Sequence, residues 1–137
     1  MKSKIKLSDY CTIKRSGEAF IDIDTGWKFW CDLHGMDADY AQLFIRRLAR
    51  KRRLNDEDTL LDAEVTVPDI QTQRFIVGAI KTLDQIWIET GDVMKAYREM
   101  QQLTGDPYFD EMRKYYNNYF GELNDHRFLL IDQLMGV

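Results

Sequence analysis

The hydrophobic periodicity of this chain changes at about residue 37, and that change limits the folds open to it. Before this point apolar and polar residues alternate. In Ala19-Phe20-Ile21-Asp22-Ile23, the residues Ala19, Ile21 and Ile23 make one face, while Phe20, Asp22 and the following Asp24 share the other. Beyond it apolar residues recur at intervals of three and four, as in Ile76, Ile80, Leu83 and Trp87. A chain that is mainly β over residues 1–31 and mainly helical over 37–137 reads as α+β. The expected architecture is a short N-terminal β-hairpin or small antiparallel sheet followed by a compact bundle of four or five helices. With 137 residues and no linker or repeat to divide it, residues 1–137 read as a single domain.

Local signals place the elements. Lys4-Ile5-Lys6-Leu7 alternates, and Tyr10 to Ile13 is a second short β-prone run. Ser16-Gly17 reads as a hairpin turn and Asp24-Thr25-Gly26 as a second turn. Trp27 to Cys31 suits either a third strand or the start of a helix. Asp37 or Asp39 caps a helix to about Arg53, with Tyr40, Phe44 and Leu48 as its seam and Leu43 and Ile45 beside them. Asp56 to Asp62 reads as one short helical turn, and Pro68 ends the run Glu64 to Val67. Asp69 caps a helix over roughly 70–89 that Gly91 stops; Asp92 starts a shorter one, with Val93, Tyr97 and Met100 inward, ended by Gly105. Asp106-Pro107, an aspartate cap with proline at the first helical position, opens a helix to about Phe120. Gly121 closes it, and a last helix from about Asn124 carries Phe128, Ile131 and Leu134.

The chain offers little raw material for catalysis. Cys31-x-x-His34 has a metal-knuckle spacing, with Cys11 and His126 as the only further Cys or His ligands, but a structural zinc site normally takes two close pairs. Cys31 reads instead as a small buried apolar residue and His34 as part of a turn. Asp22-x-Asp24-x-Gly26 opens like a calcium loop, yet the twelfth position counted from Asp22 is Leu33 rather than glutamate. Serine occurs only at Ser3, Ser8 and Ser16, and there is no Gly-x-Ser-x-Gly or phosphate loop. The reading is of no catalytic set, no metal, no cofactor and no enzyme. No apolar run approaches the roughly 18 residues of a membrane span. No apolar stretch of a secretory signal follows Met1-Lys2-Ser3-Lys4, and two cysteines suit a reduced compartment. A soluble cytoplasmic protein without a membrane partner is expected.

Two surfaces stand out. Arg46, Arg47, Arg50, Lys51, Arg52 and Arg53 form an uninterrupted basic run. On a helical wheel Arg46, Arg50 and Arg53 lie opposite the apolar seam, with Arg47 and Lys51 at its edge, so the face could meet phosphates, acidic lipid headgroups or an acidic protein surface. Asp56, Glu57, Asp58, Asp62 and Glu64 follow at once; if the chain folds back at Asn55, this acidic turn would pair with the basic face or screen it, leaving a solvated helix face. Residues 1–68 hold twelve bases and twelve acids, so the whole net charge of -4 lies in residues 69–137. A nucleic-acid binder normally concentrates positive charge where it makes contact. The second surface is aromatic. Tyr108, Met112, Tyr115 and Tyr119 follow one stripe of a helix, and Phe109, Tyr116 and Phe120 the adjoining one. Such an arc suits either a central helix buried on two sides or a helix that packs on its own domain with one stripe and on a partner with the other, Lys114, Asn117 and Asn118 forming the rim. Met94 and Met100 add adaptable surface, and the run Phe128-Leu129-Leu130-Ile131 must cover something.

These features point to a non-enzymatic protein-binding accessory, an adaptor, assembly factor or inhibitor. It would act through Tyr108, Met112, Tyr115, Tyr116, Tyr119 and Phe128, with the partner another protein or an identical subunit. The alternative is a nucleic-acid-associated accessory using Arg46, Arg47, Arg50, Lys51 and Arg53. In general type, though in no motif, an acidic chain with a short β element before helices resembles small proteins that bacteriophages encode, some of them tail-assembly chaperones or blockers of host machinery.

Overall fold

The computed structural model describes residues 5–23 and 26–136. Lys4, Asp24 and Thr25, which belong to the first alternating run and the second turn, lie outside the described residues, as do Met1 to Ser3 and Val137. The architecture is α+β, a three-stranded antiparallel sheet followed by four helices. The chain forms two compact units, one of residues 1–77 with 134–137 and one of residues 78–133.

In the first unit a 3-10 turn, Leu7–Asp9, precedes β1 (Cys11–Lys14), β2 (Ala19–Ile23) and β3 (Trp27–Leu33). Among the described residues of the first alternating run none joins the sheet; Lys6 makes an isolated bridge to Glu64. The alternation in β2 is read correctly from sequence, since Ala19, Ile21 and Ile23 are buried while Phe20 and Asp22 are exposed. The segment Trp27 to Cys31 is strand.

The hairpin expected at Ser16-Gly17 does not form. The strand order is β1-β3-β2, with β3 pairing antiparallel to both neighbours, so residues 15–18 carry the chain from one edge of β3 to the other. A β-carbon on Gly17 would lie 2.5 Å from the carbonyl oxygen of Cys31, so the connection passes against the β3 backbone where only glycine fits. Asp32 holds this crossing by accepting from the Glu18 N–H (3.0 Å) and pairing with the Lys14 ammonium. Among the described residues, β2 and β3 pair directly up to Ile23 opposite Trp27, with Gly26 at φ 100° and its N–H bonded to the Ile23 carbonyl.

Helix α1 (Ala38–Arg52) covers the buried face of the sheet. The Asp37 carboxylate accepts from the N–H groups of Asp39 and Tyr40, so Asp37 rather than Asp39 is the cap. Tyr40, Phe44 and Leu48 are buried as the spacing predicts, with Ile45, Ala41 and Ala49 beside them, while Leu43 is half-buried. The helix ends on Arg53, in the left-handed region at φ 55° and ψ 47°, where its N–H and that of Leu54 reach the Ala49 carbonyl. A β-carbon is unfavourable there. Arg53→Gly is therefore expected to stabilise the protein by about 0.5–1 kcal/mol, read as a higher urea midpoint. Helix α2 (Glu57–Leu61) is the short acidic turn, capped by Asp56 on Thr59 N–H (2.7 Å).

Helix α3 (Ile70–Thr104) and helix α4 (Pro107–Met135) are each continuous. Gly91 and Gly121 do not stop them, and no new helix starts at Asp92 or Asn124. A glycine inside a helix costs only about 1 kcal/mol against alanine, which packing of the neighbouring turns outweighs. The Asp69 cap is formed, its carboxylate accepting from the Thr72 N–H at 2.7 Å. Gln73, buried one turn later, accepts from the Asp37 N–H (2.7 Å) and donates to the carbonyls of Gly35 (2.9 Å) and Pro68 (2.8 Å).

The second unit consists of residues 78–133, an antiparallel pair of helices joined by Gly105 and Asp106. Gly105 takes φ 66° and its N–H bonds the Gln101 carbonyl, ending α3. Asp106 accepts from the Tyr108 N–H (3.0 Å) and Pro107 opens α4, as the sequence predicts.

Candidate protein-binding interface

The helical pair of residues 78–133 closes along a seam of facing rings. Trp87 stacks on Phe120 with centroids 4.9 Å apart, and Tyr97 lies against Tyr116 at 5.6 Å and Phe109 at 6.3 Å. The Arg127 guanidinium sits 4.5 Å from the Trp87 centroid and donates to Asp84 at 3.0 Å, tying the two helices together. Along α3 the half-buried positions Leu83, Trp87, Met94, Tyr97 and Gln101 repeat in threes, fours and sevens, the pattern of a two-stranded coiled coil.

Two helices bury only one stripe each, and a second apolar stripe stays open. On α3 it is Ile86, Val93 and Met100, spaced by sevens; on α4 it is Tyr108 and Tyr115, seven apart, and Leu129, fourteen further. Tyr115 is 64% and Leu129 59% exposed. Five of them stand one position before a seam residue: Ile86 before Trp87, Val93 before Met94, Met100 before Gln101, Tyr108 before Phe109, Tyr115 before Tyr116; Leu129 does not, since Leu130 is itself exposed. In an antiparallel pair that shared offset places both stripes on the same side of the hairpin. Tyr119 and Phe128 are also exposed, and Met112 is half-buried. Tyr116 turns inward to Tyr97, so of the six aromatic and methionine positions singled out by sequence it serves the seam. Sequence reading misses Ile86 and puts Val93 and Met100 inward with Tyr97, whereas only Tyr97 turns to the seam and Val93 and Met100 are exposed. The interval of seven from Ile86 through Val93 to Met100 is visible, but splitting α3 at Gly91 hides it.

The basic run behaves differently. Arg46 and Arg47 are half-buried while Arg50, Lys51 and Arg53 are exposed. Arg46 donates to the Asp22 carbonyl at 3.0 Å, tying α1 to β2, rather than standing wholly on a solvent face. The acidic segment does fold back beside the end of α1. Arg52 donates to the Glu64 carbonyl (2.7 Å), and an open depression is lined by Arg52, Asp62 and Glu64.

Within the first unit the cysteines and the histidine of the weak metal pattern lie on different faces of the sheet. Cys11 and Cys31 are buried free thiols on the core face of β1 and β3, whereas His34 contacts the exposed Thr12 hydroxyl at 3.2 Å. Among the described residues no three His, Cys, Asp or Glu gather as metal ligands. Burial pushes the Cys11 thiol up, with the Cys31 thiol adding to it, and burial also pushes Cys31 up. Each folded value lies above the unfolded value of about 8.5, so the associated stability is fully present below that pH and is lost as pH rises toward the folded values. The urea midpoint is expected to fall above about pH 9. Cys11→Ala should flatten that fall; an unchanged slope would mean other groups cause it.

Among the described residues, no helix is long and apolar enough to cross a membrane. No protein-family model, curated protein or solved structure matches this chain.

Proposed function

We propose that this chain is a non-enzymatic protein-binding accessory, an adaptor, assembly factor or inhibitor, that presents one face of the 78–133 hairpin to a partner protein. The observation that carries this reading is the open stripe of Ile86, Val93, Met100, Tyr108 and Tyr115. Scattered exposed apolar side chains need no explanation, but large ones in register on one side of a helix pair mark an interaction surface. Tyrosine suits that role, offering a rigid apolar body with a hydroxyl that tolerates water in the free state.

The test is recovery of the full chain from its own cell, beside Val93→Ser/Tyr115→Ser and Arg50→Glu/Arg53→Glu variants. A stoichiometric protein held at high salt by the parent, and lost from the serine variant with circular dichroism unchanged, supports the reading. Nucleic acid that leaves at high salt and is lost only from the arginine variant would overturn it in favour of the basic helix.

A further inference from the structure

The charges around the open stripe specify what kind of partner it fits. Glu89 stands three residues after Ile86 and four before Val93. Glu111 stands likewise between Tyr108 and Tyr115, Glu122 seven after Tyr115, and Asp125 four before Leu129. All four are exposed, and on a helix these spacings put them beside or within the stripe. Residues 78–133 hold six bases, Lys81, Lys95, Arg98, Arg113, Lys114 and Arg127. None is three, four or seven residues from a stripe position on its own helix, and three are engaged elsewhere, Arg113 and Lys114 with Asp110 and Arg127 with Asp84. The face is thus apolar along its middle and acidic along its margins.

Building on the protein-binding reading, we propose that the occupant of this face is an amphipathic helix with apolar residues at heptad spacing, flanked by lysines and arginines. Heptad stripes on two antiparallel helices leave a groove that a third helix fills, and flanking charges select which helix it is. A second copy of the same face would set acid against acid, which disfavours self-pairing at neutral pH.

The experiment titrates the full chain with two synthetic peptides that share one leucine heptad core, one flanked by lysine and one by glutamate, using calorimetry at low and high salt. A lysine-flanked peptide with its leucines replaced by serine controls for bulk charge. The lysine-flanked peptide is expected to bind at least about tenfold more tightly than the glutamate-flanked one, the gap narrowing with salt. The control should not bind, and Glu89→Lys/Glu122→Lys, which brings the four marginal charges to two acids and two bases, should abolish the preference. Equal binding of both heptad peptides would overturn the charge inference while leaving the hairpin face as an interface. Binding of the serine control as tight as that of the lysine-flanked peptide would overturn it as bulk charge attraction. A salt-independent dimer mass that blocks both peptides would overturn it in favour of a second copy. Failure of both peptides to bind a monomer would overturn it too, and the Val93→Ser/Tyr115→Ser recovery separately decides whether the protein-binding reading falls with it.

Discussion

Gly17→Ala is expected to destabilise the N-terminal unit by on the order of 3 kcal/mol or more, a large loss for one methyl group. The added β-carbon would stand 2.5 Å from the Cys31 carbonyl oxygen, 2.6 Å from its carbon and 3.0 Å from its nitrogen. All three are backbone atoms of the central strand, so no side-chain rotation relieves the clash. The strand itself is held on both edges, Cys31 lying opposite Ile13 of β1 and Ala19 of β2. Either the crossing lifts off β3, breaking the Glu18–Asp32 bond, or the pairing yields. Amide exchange over β1 to β3, compared with Ser16→Ala as a neighbouring exposed control, reads the effect. Normal protection in Gly17→Ala would mean that the crossing does not lie against β3.

Gln73→Leu is expected to cost about 2–4 kcal/mol although leucine has nearly the same volume. Gln73 is fully buried, and its amide serves three backbone groups at once: the Asp37 N–H and the carbonyls of Gly35 and Pro68. Leucine leaves those groups without their partner, and a buried polar group stripped of its bond costs more than the bond itself contributes. The site also joins the loop before α1 to the start of α3, so the loss reaches the Asp37 cap. Gln73→Glu is expected to be worse than leucine at neutral pH, because a carboxylate can still accept from Asp37 but meets two carbonyl oxygens where the amide donated. Urea midpoints of the two variants, taken at neutral and mildly acidic pH, check this. A glutamate variant no less stable than leucine at neutral pH would contradict the donor assignment.

The outward stripe on α4 was visible before any tertiary information. Tyr108, Tyr115 and Tyr119 separate on a helical wheel from Phe109 and Phe120, and the molecule uses Phe109 and Phe120 for its own seam. The matching stripe on α3 was not. Gly91 reads as a stop, whereas its cost of about 1 kcal/mol is a matter of balance against packing that only the opposite helix can supply. At Gly91 that packing includes Phe120, whose ring would lie 3.6 Å from an added β-carbon, an ordinary contact.

The residues by themselves determined whatever depends on near neighbours along the chain. The caps at Asp37, Asp69 and Asp106-Pro107, the left-handed Gly105 and the alternation in β2 each involve groups within a few residues of one another, so local spacing suffices. Strand order was a tertiary decision. Alternation says which side of a strand is buried and nothing about which strand lies beside it, and a short polar link with glycine suits a crossing over β3 as well as a hairpin. The burial of Gln73 was decided in the same way, since its three partners come from Gly35, Asp37 and Pro68, on loops that only the folded chain brings together. The open apolar face also required both levels. Its spacing belongs to the sequence, but its placement on one side of the hairpin follows from the antiparallel pairing of α3 and α4.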